Sequence, residues 1–189
     1  MIGNYNKSYG RNDIDSKYII HMQTELEHIL ISTYKDGMIA YMETHPEAYE
    51  EAVQLAISDK QPFAWRAAWL LWSCMEVNDQ RVQQHVKEIV KSVKSKNDGH
   101  QRELLKILLL MEIDKKYEGI LFNLCLDVWE EINKTPSVRM TAFKFILKLV
   151  KKHPELFNEI TFLLQERYLV TLSPGVRKSI LKMMQGVTY

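Results

Sequence analysis

The sequence predicts an all-α fold in which about four and a half helix pairs stack side by side. Hydrophobic residues make up 46% of the 189 residues, which is enough for a continuous core. The chain has only 7 glycines and 5 prolines, whereas the many turns of an all-β fold would require more of both. An arginine also recurs at positions 66, 102, 139 and 177, in steps of 36, 37 and 38 residues. Such a period is typical of repeat proteins.

Four similar segments mark the predicted repeats. Pro62, Gly99, Pro136 and Pro174 open them, an arginine follows within four residues, and an apolar residue stands three positions after the arginine. Proline is favourable at the first position of a helix, because its missing N–H would have no partner there. Each segment therefore predicts the first turn of a helix, which we name helix A of its repeat.

Each repeat divides into helix A and a partner, helix B. In the repeat that begins at Pro136, apolar residues recur at helical spacing on both sides of Pro154: Val138, Ala142, Phe145, Ile146 and Leu149 before it, and Leu156, Ile160, Leu163 and Leu164 after it. Pro46 punctuates the first repeat in the same way. In chain order, the predicted helices span 15–34, 37–44, 46–58, 62–76, 79–95, 98–112, 116–132, 136–151, 154–170 and 174–185. Residues 1–13 are predicted to form a flexible arm, and residues 14–189 a single domain that helix 174–185 caps.

Two segments carry a resemblance to a known family. Val138-Arg139-Met140-Thr141-Ala142 and Val176-Arg177-Lys178-Ser179-Ile180 resemble the V-R-x-x-A core of HEAT repeats, and the resemblance covers roughly residues 28–189. The valine is replaced at Trp65 and Gln101. The resemblance implies a right-handed α–α superhelix of the armadillo type, whose concave surface, built mostly from B helices, is the usual binding face.

The repeated Arg66, Arg102, Arg139 and Arg177 are predicted to be structural. A planar guanidinium suits the carbonyls and carboxylates found between packed repeats, and the repetition follows the architecture. The family often places an aspartate shortly before the arginine. Asp59 and Asp98 stand in that place in two repeats, whereas no aspartate precedes Arg139 or Arg177 closely.

Trp65, Trp69 and Trp72 lie on one face of a single predicted helix, since they are spaced four and three residues apart. Most other residues of that helix are apolar too, so burial between neighbouring helices is the expected arrangement. The alternative is an aromatic platform at a groove, because exposed tryptophan is typical of a binding hot spot. We therefore take these three residues as candidate partner-binding residues.

Two lysine stripes are candidates for anion binding. Lys87, Lys91 and Lys94 form one on a B helix, and we include these three among the candidate partner-binding residues. The other stripe lies on an A helix and consists of Lys144, Lys148, Lys151 and Lys152. Helices A and B line opposite surfaces of such a stack, so the two stripes are not expected to merge, and a solvated face is the simpler interpretation of both.

No catalytic, cofactor or metal residue is assigned. Nucleotide-binding glycine motifs and a G-x-S-x-G motif are missing, and Cys74 and Cys125 sit in apolar runs. His21, Glu25 and His28 share a helix face, but a di-iron site would need a second E-x-x-H motif, which the sequence lacks. The sequence thus favours a protein without enzymatic activity and without a cofactor.

The predicted function is a non-enzymatic scaffold that binds a protein or peptide on its concave surface. Net charge is only +1, with −5 over residues 1–61 and +6 over residues 62–189, so the strong basic excess of a dedicated nucleic-acid binder is missing. DNA binding or DNA-base repair by a HEAT-like protein remains the alternative, with Asp127 and Trp129 as further residues of interest. A third hypothesis is a subunit with an apolar strip at Met38, Tyr41, Met42 and Tyr49. No signal peptide or membrane span is found, which predicts a cytoplasmic protein.

Overall fold

The computed structural model describes residues 23–186, and these residues form helices and no strand. The α-helices are α1 (Glu25–Ser32), α2 (Lys35–Thr44), α3 (Ala48–Ile57), α4 (Phe63–Cys74), α5 (Gln80–Gln83), α6 (Val86–Val93), α7 (Asp98–Leu110), α8 (Lys115–Glu130), α9 (Pro136–Lys152), α10 (Phe157–Ile160), α11 (Glu166–Leu169) and α12 (Pro174–Gln185). Two 3-10 turns, Pro154–Leu156 and Thr161–Leu164, flank α10. The predicted flexible arm lies outside the described residues.

The helices stack in two rows, which confirms the predicted all-α solenoid. In one row α2 packs on α4, α4 on α7, α7 on α9 and α9 on α12; these are the A helices. In the other row α3, α6 and α8 follow one another, and each packs against the A helix that comes next in the chain. One side of every A helix therefore faces away from the B row. We name this side of α2, α4, α7, α9 and α12 the A surface.

Three predicted helices differ from the structure. The first predicted helix ends earlier, since Thr33 and Tyr34 are extended and separate α1 from α2. Residues 79–95 form α5 and α6 with a turn between them, although the backbone at the turn keeps near-helical angles. Residues 154–170 form short helical pieces, and Gln165 is extended (ψ 144°) where a continuous helix was expected.

The core lies between the two rows of helices. Trp129, Phe143 and Phe145 are among its largest fully buried side chains. Of the four residues of the hypothesised apolar strip, Met38, Met42 and Tyr49 are buried and Tyr41 is half-buried, so these four side chains do not form an open strip. Tyr49 donates to Cys74 O at 3.0 Å, and the Arg81 guanidinium lies 3.5 Å from the centre of its ring.

Aspartate–lysine pairs link neighbouring repeats. Asp59 accepts a hydrogen bond from Lys96 at 2.6 Å, and Asp98 accepts one from Lys134 at 2.9 Å and one from the backbone N–H of Thr135 at 2.6 Å. Each pair spans about one repeat. The aspartates that the family resemblance singled out thus bind lysines of the next repeat and not its arginine.

Replacing Asp98 with alanine is expected to lower the free energy of unfolding by about 1–2 kcal/mol, because two hydrogen bonds between repeats are lost. Burial opposes ionisation of Asp98, but the bonds from Thr135 and Lys134 more than offset it, and its pKa lies below the ordinary value. A carboxyl whose pKa is lowered by folding stabilises the fold above its unfolded pKa, and this stabilisation is lost as pH falls through the folded value. Urea denaturation should therefore show a gap between wild type and D98A at neutral pH that closes in acid.

The exposed Asp36 of α2 supplies the matched control for this measurement. Asp36→Ala should change the free energy of unfolding by less than about 0.5 kcal/mol. An equal effect of both substitutions would contradict a linking role for Asp98.

Candidate functional site

A groove between α2 and α4, on the A surface, is the main candidate for contact with a partner. It has a volume of about 200 Å³ and is lined by Lys35, Met38, Trp65, Arg66 and Trp69. We name it the Trp groove. Trp65 keeps 38% of its surface exposed, whereas tryptophan is highly buried on average. The groove therefore presents an aromatic side chain to solvent at a concave place.

The packing of α4 explains why its tryptophans are not in the core. The buried stripe of α4 consists of small and medium residues: Ala64, Ala67, Ala68, Leu70 and Leu71. Alanines at a contact let neighbouring helices approach closely, so the bulky rings are left on the outer side. The expectation that Trp65, Trp69 and Trp72 would be buried is thus met only partly, since Trp65 is exposed and the other two are half-buried.

Arg66 gives the Trp groove a positively charged side chain. Its guanidinium lies 5.6 Å from the centre of the Trp65 ring, within range of a cation–π interaction. Its Nε is buried and has no hydrogen-bond acceptor among residues 23–186. A buried N–H without a partner is costly, and this one has no surface open to the groove. The groove thus combines an apolar wall with the half-buried, positively charged guanidinium of Arg66.

Trp72 has a different role, at the junction of α4 and α7. Its Nε1 donates to the carboxylate of Glu103 at 2.5 Å, and the Lys106 ammonium lies 4.1 Å from its ring centre. Glu103 is fully buried and also accepts from Arg102 at 2.7 Å and from Lys106 at 3.0 Å. Trp72 touches Trp69 edge-on, with ring centres 6.4 Å apart. It therefore holds the neighbouring helices and supports the groove from behind.

The four repeated arginines all lie in the first turn or just beyond it in α4, α7, α9 and α12. Arg139 is fully buried and donates to Trp129 O, Thr171 Oγ1 and Tyr168 O. Arg177 donates to Leu172 O at 3.3 Å and pairs with Glu166 at 2.9 Å. Arg102 binds Glu103, and Arg66 borders the Trp groove. Equal sequence spacing therefore places these side chains in four different environments.

The lysine stripes lie on opposite surfaces. Lys87 and Lys91 of α6 and Lys94, which follows its last residue, are exposed in the B row, with Glu88 beside them. The stripe of α9 borders a second, larger groove on the A surface, and this groove also takes in Lys182 of α12. Sequence reasoning missed Lys182 and Lys35, because their approach to α9 and α4 depends on tertiary packing. The only local signal was the lack of acidic residues in α9 and α12.

The described residues offer little for catalysis. Within 23–186 no three His, Cys, Asp or Glu side chains gather as metal ligands, and His21 lies outside this range. Burial raises the pKa of Cys74 to about 11, and burial also raises that of Cys125. Both are protonated thiols at neutral pH and hence weak nucleophiles. Trp129 is fully buried and donates to Leu163 O at 3.1 Å, so it is not open to stack on a nucleic-acid base beside Asp127.

The chain was also compared with known proteins. A model of the HEAT repeat domain matches residues 22–187, which is nearly the whole chain. Neither a curated protein nor a solved structure gives a significant match. None of the helices in residues 23–186 is sufficiently long and apolar to span a membrane. Because the family model covers both helix rows and the start of every A helix, the chain belongs to the HEAT-repeat family.

Proposed function

We propose that this protein is a non-enzymatic HEAT-repeat scaffold that binds a protein or peptide partner, with the Trp groove as its main point of contact. The observation that carries the proposal is the exposed Trp65 beside the guanidinium of Arg66 in one groove. Tryptophan and arginine are the residues most enriched at the energetic centres of protein interfaces. A groove of about 200 Å³ has room for one or two apolar side chains of a partner.

The A surface is preferred over the concave, B-helix surface that the family resemblance implied. The Trp groove lies on the A surface, whereas the candidate Lys87 and Lys91 of α6 and Lys94 at its end are exposed side chains with no partner among residues 23–186. Solvated lysines at an interface rim contribute mainly to the rate of association and to its salt dependence. We further propose a cytoplasmic location, which the free thiols of Cys74 and Cys125 support.

Trp65→Ala tests the proposal. Wild type, W65A and Ile120→Ala are immobilised and exposed to an extract of the native host, and the bound proteins are quantified by mass spectrometry. Ile120 is an exposed apolar residue of α8 and serves as the matched control. One stoichiometric partner is expected on wild type and I120A, and its recovery on W65A should fall at least about tenfold. Retention of that partner by W65A, or absence of a stoichiometric partner, would contradict the proposal.

A nucleic-acid partner is the second candidate function. It is favoured by the charge of α9 and α12, which contain several lysines and arginines and no acidic residue. Such side chains neutralise phosphates, and the resulting affinity falls steeply with salt. A mobility-shift assay with labelled duplex DNA at low salt tests this function directly. A shift that is lost at high salt would support it, and unshifted DNA would remove it.

A further inference from the structure

The second groove of the A surface lies between α9 and α12. It has a volume of about 710 Å³ and is lined by Lys144, Leu147, Lys148, Lys151, Lys152, Lys182, Met183 and Gly186. We name it the lysine groove. It is separate from the Trp groove, which lies at the other end of the row. All of its charged lining residues have the same sign.

Two of these lysines already have partners within the chain. Lys148 donates from its Nζ to Leu109 O at 2.9 Å and to Met111 O at 2.6 Å, and so binds the free carbonyls at the end of α7. Lys152 pairs with Glu118 of α8 at 2.5 Å. These contacts fix the stripe on α9 relative to its neighbours. They also fix one wall of the groove.

The ammonium groups of the other three lysines have no partner among the described residues. Lys144, Lys151 and Lys182 are exposed, and none of these ammonium groups makes a hydrogen bond or an ion pair within residues 23–186. Like charges held in one groove repel each other, and a bound anion would relieve this repulsion. The groove therefore has an unmatched positive charge that favours an anionic ligand.

The walls of the groove indicate which anion fits. Leu147 and Met183 lie between the lysines, and methionine adapts its shape to varied apolar side chains. Among residues 23–186 no aromatic residue lines the groove, so this part of the chain supplies no platform on which a nucleic-acid base would stack. Three free ammonium groups are also fewer than the phosphate contacts of a typical DNA-binding protein. Carboxylates interspersed with apolar side chains match the lining better than phosphates do.

We infer that the lysine groove binds an acidic peptide segment of a partner protein. Asp or Glu side chains of that segment pair with Lys144, Lys151 and Lys182, and an apolar side chain of the segment packs against Leu147 and Met183. The inference rests on the proposed function in taking the partner to be a protein. It assigns that partner a second contact, and the two grooves are tested separately. Binding at this groove depends on salt, whereas binding at the Trp groove depends mainly on apolar contact.

The probe is a fluorescein-labelled peptide of about 16 residues that repeats Glu-Glu-Leu, titrated at low salt with fluorescence anisotropy as the readout. Lys144→Glu/Lys182→Glu should weaken its binding at least about tenfold, because two attractive contacts become repulsive. Lys87→Glu/Lys91→Glu on the opposite surface makes the same change in net charge and should weaken binding less than about twofold. W65A should bind the peptide like wild type. The peptide assay therefore still tests the lysine groove if the proposal of partner binding at the Trp groove proves wrong. All substituted lysines are exposed, and circular dichroism checks that each variant keeps its helices.

Comparison probes distinguish this ligand from its alternatives. An all-glutamate peptide of equal length should bind several-fold more weakly, since it cannot fill the apolar part of the groove. Four outcomes would overturn the inference. Two concern the peptide: no binding of the Glu-Glu-Leu peptide up to about 1 mM, or equal losses of affinity in both lysine variants. The other two are tighter binding of duplex DNA than of the peptide, and self-association at low salt that K144E/K182E abolishes. The last outcome would identify the acidic segment as the first repeat of a second copy of this chain.

Discussion

Replacing Arg139 with alanine is expected to lower the free energy of unfolding by about 3–5 kcal/mol. Its guanidinium is fully buried and donates to Trp129 O at 2.9 Å, Thr171 Oγ1 at 2.9 Å and Tyr168 O at 2.6 Å. Burial lowers its pKa, and Glu131 only partly opposes this effect. Alanine would leave two buried carbonyls without donors and would open a cavity between α8, α9 and α11. Urea denaturation followed by circular dichroism measures the loss.

Arg102 provides the control, because it holds the same place in the repeated sequence motif. It is one-third exposed, and Glu103 keeps Trp72 and Lys106 as donors when Arg102 is removed. Arg102→Ala should therefore cost about 1 kcal/mol. Equal costs for R102A and R139A would mean that the motif arginine acts alike in every repeat, contrary to the contacts described above.

The different environments of these arginines show how far the sequence could predict the fold. Spacings of 36, 37 and 38 residues predict the number of repeats, because an A helix begins in each of them. They do not predict which side of the helix the arginine occupies. In α7 the buried position belongs to Gln101, which donates to Val93 O at the end of α6, just as Arg139 donates to Trp129 O at the end of α8. Arg102 is one residue further on, and one residue turns a side chain by about 100° around the helix.

The candidate sites were predicted less completely than the repeats. Trp65 and Trp69 were predicted as candidate partner-binding residues from their spacing. Spacing shows that they share one helix face, but it does not show which face packs against neighbouring helices. The alanines of α4 decide that, since close helix contact at Ala67 and Ala68 leaves the rings outside. Lys182 could be joined to the α9 stripe only by the packing of α12 on α9. The break between α5 and α6 was missed for a related reason, because Gln84 and His85 keep near-helical backbone angles and Val82, Val86 and Ile89 keep helical spacing across the turn.

Trp129 of α8 and Trp65 of α4 should differ strongly in how much stability is lost on alanine substitution. Trp129→Ala is expected to cost about 3–5 kcal/mol, because the ring is fully buried, packs on Phe143 with ring centres 4.7 Å apart, and donates to Leu163 O. Trp129→Phe keeps most of the packing and loses the hydrogen bond, so it should cost about half as much. Trp65→Ala should cost less than about 1 kcal/mol, since much of its ring already contacts water.

Denaturation of W129A and W65A also tests the functional proposal, because it distinguishes a tryptophan that stabilises the core from one that contacts a partner. If W129A loses much stability and W65A little, Trp65 is not needed for folding, and partner binding explains why its ring is exposed beside Arg66. Equal losses would place Trp65 in the core and remove the apolar anchor from the Trp groove. The lysine groove would be unaffected by that outcome, since its walls are formed by α9 and α12, away from Trp65. The stability of W65A must therefore be measured before its loss of partner binding can be attributed to the Trp groove.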